Sequence, residues 1–133
     1  MSKLAPRLRD ASRSGVYRVT ATTAIADTGL PAVSIALGET KDGVLGAIAE
    51  ALAFPAWFGG NWDALEDCLA DLKGERHLLL FTVPEALPAD ELGILFDILD
   101  STATFHGAQG RPFFAVFVDP ARRLALPDLY REK

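Results

Sequence analysis

The side chains able to do chemistry gather between Phe54 and Leu72, in the run FPAWFGGNWDALEDCLADL. Four carboxylates, Asp63, Glu66, Asp67 and Asp71, and the single cysteine of the chain, Cys68, fall inside it. Paired carboxylates can carry out acid–base catalysis, but only where a cleft pushes one pKa above the other. At the helical period of about 100° per residue, the four acids collect on one side of the segment. Trp62, Leu65, Cys68, Leu69 and Leu72 collect on the other. A stripe facing solvent has no such asymmetry, so the acids predict a charged binding face and not a catalytic pair. A merely solvated face is the ordinary explanation of such charge. Two features argue for more. Asp63/Asp67 and Asp67/Asp71 are like charges at i,i+4, each costing a few tenths of a kcal/mol, and no Lys or Arg stands between Trp57 and Leu72. Asp63 is offset by its place in the first turn, where the helix dipole favours an acid; Asp67 and Asp71 are not. The preceding loop also sets Trp57 and Phe58 beside Gly59 and Gly60, a composition suited to a contact surface. Phe58 is expected in the core. Trp57 is either a core anchor or an exposed contact.

Other chemistries find no residues. His77 and His106, the only histidines, have no Cys, Asp or Glu at metal-ligand spacing, so no metal is expected. Cys68 lies on the apolar side of its helix as a structural thiol. No glycine-rich phosphate loop, nucleophile elbow or triad appears, which predicts a protein without cofactor or enzymatic activity. The net charge of −5 and pI near 4.9 disfavour direct nucleic-acid binding and favour a basic partner. One cysteine suits a reducing compartment. The N-terminal MSKLAPRLRDASRSG has no apolar run after its basic residues, and no apolar stretch is long enough to span a bilayer. A cytoplasmic protein is expected, with no membrane contact.

Behind the acidic segment stand the elements that must position it. Val16 to Ala21 is a candidate strand, and Ile25 to Leu30 a turn or short helix. Ala32 to Leu37 has the composition of a buried strand. Asp42 can cap a helix to about Ala53, with Val44, Leu45, Ile48, Ala49 and Leu52 at helical spacing. Phe54-Pro55 stops it. Asn61 is a strong cap for the acidic helix from Trp62 to about Leu72, and Lys73-Gly74 closes it. Leu78 to Val83 and Phe113 to Val118 are continuous apolar runs of strand length, which predicts a sheet covered on both sides or centrally buried. Between them Asp90 can start a helix carrying Leu92, Leu95, Phe96 and Leu99 on one face. Its C-terminal end is not marked.

Strands alternating with helices favour a parallel α/β sheet, and 133 residues fit one domain. The expected organisation is a flexible N-terminus over residues 1–14, a domain over 15–120 and a peripheral tail over 121–133. The expected fold is α/β, a small, mostly parallel three-stranded sheet with surrounding helices and an extra N-terminal edge strand at Val16.

The run FPxWFGGNWDALxDCL resembles the signature of the barstar family, intracellular inhibitors of barnase-type ribonucleases. In those proteins a Pro-aromatic-aromatic-Gly-x-Asn-x-Asp-Ala-Leu-x-Asp-Cys-Leu stretch forms the binding loop and second helix. The resemblance extends more weakly over residues 32–118. It implies that the acidic helix and its loop plug the basic active-site cleft of a ribonuclease, where carboxylates replace RNA phosphate. Carried over by position, Asp67 stands at the family's central aspartate and Asp63 at the aspartate one turn earlier. Trp57 takes the place of the loop tyrosine that stacks on the nuclease's histidine. Gly59 supplies backbone contact, and Asn61 the cap. Glu66 and Asp71 would add charge at the rim. The chain departs from the prototype at Glu66, where an aromatic stands, and on its last helix, where Asp100 or Ser101 lies opposite the family's binding glutamate. These departures bear on which nuclease is the target, barnase or another. An immunity protein or interaction module for a different toxin nuclease or basic protein is the alternative. The part played by the N-terminal extension stays open among an edge strand, a cover for the sheet and a partner contact.

Overall fold

The computed structural model describes residues 4–55 and 58–130. In chain order they form α1 (Leu4–Leu8), a 3-10 turn (Ala11–Arg13), β1 (Gly15–Val19), α2 (Thr23–Ala26), β2 (Val33–Ala36) and α3 (Lys41–Ala51). Then come α4 (Trp62–Ala70), β3 (His77–Thr82), α5 (Ala89–Ala108) and β4 (Phe113–Val118). The four strands make one sheet in the order β1-β4-β3-β2, and every pairing is parallel. The expected edge strand at Val16 is β1, paired with β4 from Gly15 opposite Phe114 to Val19 opposite Val118.

The two apolar runs are the central strands, and their side chains alternate between two covered faces. Leu79, Phe81, Phe113, Ala115 and Phe117 point to a core built with Val44, Leu45 and Ile48 of α3, Leu65 and Leu69 of α4, and Leu95 and Leu99 of α5. Phe81 and Phe117, partners in the β3–β4 register, stack at 4.7 Å between centroids. Leu78, Leu80, Phe114 and Val116 point the other way. They meet Leu4 and Leu8 of α1, Ile25 of α2 and Leu129. Both faces are covered by packed side chains, so neither strand needs a polar alternation.

Four expectations need correction. Residues 4–14 are not a frayed terminus: they hold α1 and the 3-10 turn, and Leu4 and Leu8 are buried on the second face of the sheet. The segment after Asp119 is not peripheral. Leu129 is fully buried, and the tail seals the free edge of β1: the Arg18 N–H donates to the Pro127 carbonyl at 2.9 Å and the Leu129 N–H to the Arg18 carbonyl at 3.0 Å. The Arg18 guanidinium clamps the same segment through Asp128 Oδ1 at 2.8 Å and the Leu124 carbonyl at 2.9 Å. The second strand is not fully buried, since β2 is an edge and only its Ile35 is inside. The cap of α3 is Thr40, whose hydroxyl accepts from the Gly43 N–H at 3.1 Å, while Asp42 lies in the first turn. This β2–α3 turn is tight. A Cβ on Gly38 would lie 2.8 Å from Gly43 Cα, so α3 starts where it does only because both residues lack a side chain.

Candidate partner-binding site

The loop that leads into α4 is set by the end of α3. Phe54 donates its N–H to the Ala49 carbonyl at 2.9 Å and Ala53 to Glu50 at 3.3 Å, with Ala53 at φ 52°. This pair of bonds is a Schellman closure. It turns Phe54 inward, where its ring meets that of Phe58 edge-on at 5.2 Å. Both rings pack against the main core, as expected for Phe58. Trp57 lies outside the described residues. Gly60 takes φ 67° and delivers the chain to Asn61, whose side-chain oxygen accepts from the Ala64 N–H at 2.7 Å. A cap of this kind is worth about 1 kcal/mol.

From that cap α4 divides as its periodicity predicts. Leu65, Cys68 and Leu69 are buried, and Trp62 is half-buried against the core with Lys41 Nζ 6.0 Å from its ring centroid. Asp63, Glu66, Asp67 and Asp71 are all exposed. The helix ends earlier than expected, at Ala70, and Asp71 is its C-cap residue. Asp71 has a counter-charge just beyond the segment, Lys73 Nζ at 3.6 Å. Asp63, Glu66 and Asp67 make no ion pair among the described residues. Gly59 is exposed at the approach to the helix; a Cβ there would stand 3.4 Å from Asn61 Nδ2. Asp100 and Ser101 are both exposed on α5, the helix packed beside α4.

The remaining reactive groups are occupied structurally. Burial, and after it the charges of Asp67 and Asp71, push the Cys68 thiol above its ordinary value, so it stays protonated and weakly nucleophilic. A hollow of about 430 Å³ lies at the C-terminal ends of β3 and β4, lined by Val83, Leu87, Leu92 and Leu124 among others. The one buried acid on its wall, Asp119, accepts from the backbone N–H groups of Arg123 at 3.0 Å and Leu124 at 2.8 Å, which commits it to the turn. Sequence reasoning set His106 aside. It is fully buried and reaches the Leu69 carbonyl in the last turn of α4 at 2.9 Å, across 37 residues that no local pattern connects.

An all-parallel, doubly covered sheet that presents a capped helix, on which Asp63, Glu66 and Asp67 make no ion pair among the described residues, is a small α/β module whose distinctive surface is a row of carboxylates. The family model for Barstar (barnase inhibitor) matches residues 33–118, well over half of the chain, and the chain belongs to that family. It is a family of inhibitors and not of catalysts. Comparisons with curated proteins and with solved structures gave no match. No helix among the described residues is long and apolar enough to cross a membrane.

Proposed function

We propose that the chain is a barstar-type ribonuclease inhibitor, a protein without enzymatic activity that enters the basic active-site cleft of a partner nuclease through α4 and the loop before it. The observation that carries this reading is the outward face of α4, where Asp63, Glu66 and Asp67 are exposed and make no ion pair among the described residues. Charges left unpaired on a folded surface are available to a partner that supplies the opposite sign. Asp67 is the central contact and Asp63 the one a turn earlier. Trp57 stacks on the nuclease, Gly59 offers its backbone, and Asn61 holds the helix start. Glu66 and Asp71 sit at the rim, where charge governs the rate of encounter more than the rate of release. The partner is a basic protein in the cytoplasm, and neither nucleic acid, membrane nor cofactor takes part.

A second reading has the same surface and another target. The exposed carboxylate of Glu66 stands where the prototype inhibitor has an aromatic, which favours a nuclease toxin other than barnase.

Titration calorimetry into a barnase-type ribonuclease at low salt, with RNA cleavage followed in parallel, tests both. Tight binding with loss of cleavage, weakened by Asp67→Ala, supports the first reading. Truncating one partner of a buried charge pair costs about 2–5 kcal/mol, a range whose type case is the barnase–barstar complex itself. An affinity for a true target that changes less than about threefold, under 1 kcal/mol, would remove α4 as the binding helix. No binding by the wild type points to the second reading.

A further inference from the structure

The imidazole of His106 is completely buried between α4 and β4. Its Nε2 lies 2.9 Å from the Leu69 carbonyl, and its Nδ1 lies 3.1 Å from Arg111 Nε. A guanidinium nitrogen only donates, and a carbonyl only accepts. Nδ1 therefore carries the lone pair and Nε2 the proton, and the ring joins the two as a neutral relay. Its plane lies 4° from that of Phe113, 5.5 Å away, so the ring cannot turn without breaking the core of β4. Leu69 O is one of the carbonyls at a helix end that lack the regular intrahelical donor; the N–H of the cap residue Asp71 points to it, and the Leu72 N–H stands at 3.3 Å. The same last turn carries Asp67 one residue before the buried Cys68 and Asp71 at the cap.

We infer that His106 is a positioning residue for the acidic face: through Leu69 it pins the C-terminal turn of α4 to α5 and β4, and Arg111 holds the imidazole in the tautomer that can do so. This rests on the reading of α4 as the binding face. The reason is geometric. The N-terminal end of α4 is fixed by Asn61, its apolar face by Leu65, Cys68 and Leu69, and the backbone of its last turn is tied across to α5 by this buried polar bond. A carboxylate that must meet a cation within hydrogen-bond reach depends on both ends being held.

The experiment is amide hydrogen exchange on the full chain, with inhibition of barnase measured beside it, for the wild type, His106→Phe and His106→Gln. Phenylalanine keeps the ring and loses the bond; the glutamine amide nitrogen replaces Nε2 as donor. The amides of Ala70, Asp71 and Leu72 are expected to exchange about tenfold faster in His106→Phe, the size of one hydrogen bond, while those of β3 and β4 hold. Glutamine is expected to restore protection. Where the wild type inhibits barnase, inhibition should weaken and recover in the same order. Where it does not, the reading of the partner fails and exchange alone decides the role of His106. Unchanged exchange in the last turn, or a rise shared equally by the sheet, overturns it. Nitrogen-15 spectroscopy of the wild-type imidazole gives a check that needs no variant: a proton on Nδ1 in place of Nε2 also overturns it.

Discussion

The rings of His77, at the first position of β3, and His106, near the end of α5, lie with centroids 5.4 Å apart. Burial first, and then the electrostatic influence of the neighbouring His106 and Arg111, holds the His77 pKa below its ordinary 6.5. The unfolded chain therefore binds a proton at this site more readily than the folded one. Stability tied to His77 is complete above pH 6.5 and is lost as pH falls from there through the lowered folded value. Urea midpoints measured between pH 7.5 and 5.5 should fall for the wild type and fall less steeply for His77→Gln. Equal slopes for the two proteins would show that His77 is not the group responsible.

Asp67 has like-charged neighbours one turn away on each side, Asp63 and Asp71, and no ion pair among the described residues. Asp67→Asn should therefore stabilise the isolated protein, by about 0.2–0.5 kcal/mol for each repulsion relieved. The gain should shrink in 1 M salt, where the Debye length is about 3 Å. A residue that strengthens the free protein when removed, yet weakens a complex, is held for binding. A loss of stability on this substitution would instead give the carboxylate a structural duty.

Ala53 holds φ 52° at the position where helices usually place glycine. Ala53→Gly removes the Cβ strain of that backbone and should raise stability by about 1 kcal/mol. Thermal melting or urea unfolding reads this directly. A fall would mean that the methyl group packs better than the strain costs.

Leu129 is fully buried beneath the second face of the sheet, next to the bonds by which the tail seals β1. Leu129→Ala should cost about 2–5 kcal/mol, the range for deleting a buried leucine side chain. Chemical denaturation checks it. A cost under about 0.5 kcal/mol, typical of surface substitutions, would return the tail to the periphery.

The acidic helix is legible in the sequence because its information is local. A cap at Asn61 and a period of 3.6 residues place Asp63, Glu66 and Asp67 outward and Leu65, Cys68 and Leu69 inward, whatever the rest of the chain does. The helix stops two residues before the expected end at Leu72, since helix ends depend on the competition for a few terminal carbonyls. The capping of α3 by Thr40, in place of the expected Asp42, has a similar cause. Both residues can cap, and the closeness of Gly38 to Gly43 decides where the turn begins.

What the sequence by itself determined is the alternation of elements, the two central strands and the charged face of α4. Each is written in the spacing of neighbouring residues. Only the tertiary structure decided what covers the second face, because α1, α2 and Leu129 come from opposite ends of the chain and meet on Phe114 and Val116. It also decided that the second strand is an edge, and that His106 closes the far end of the acidic helix. Such contacts depend on which surfaces meet once the core has closed, and no pattern within a few residues records that.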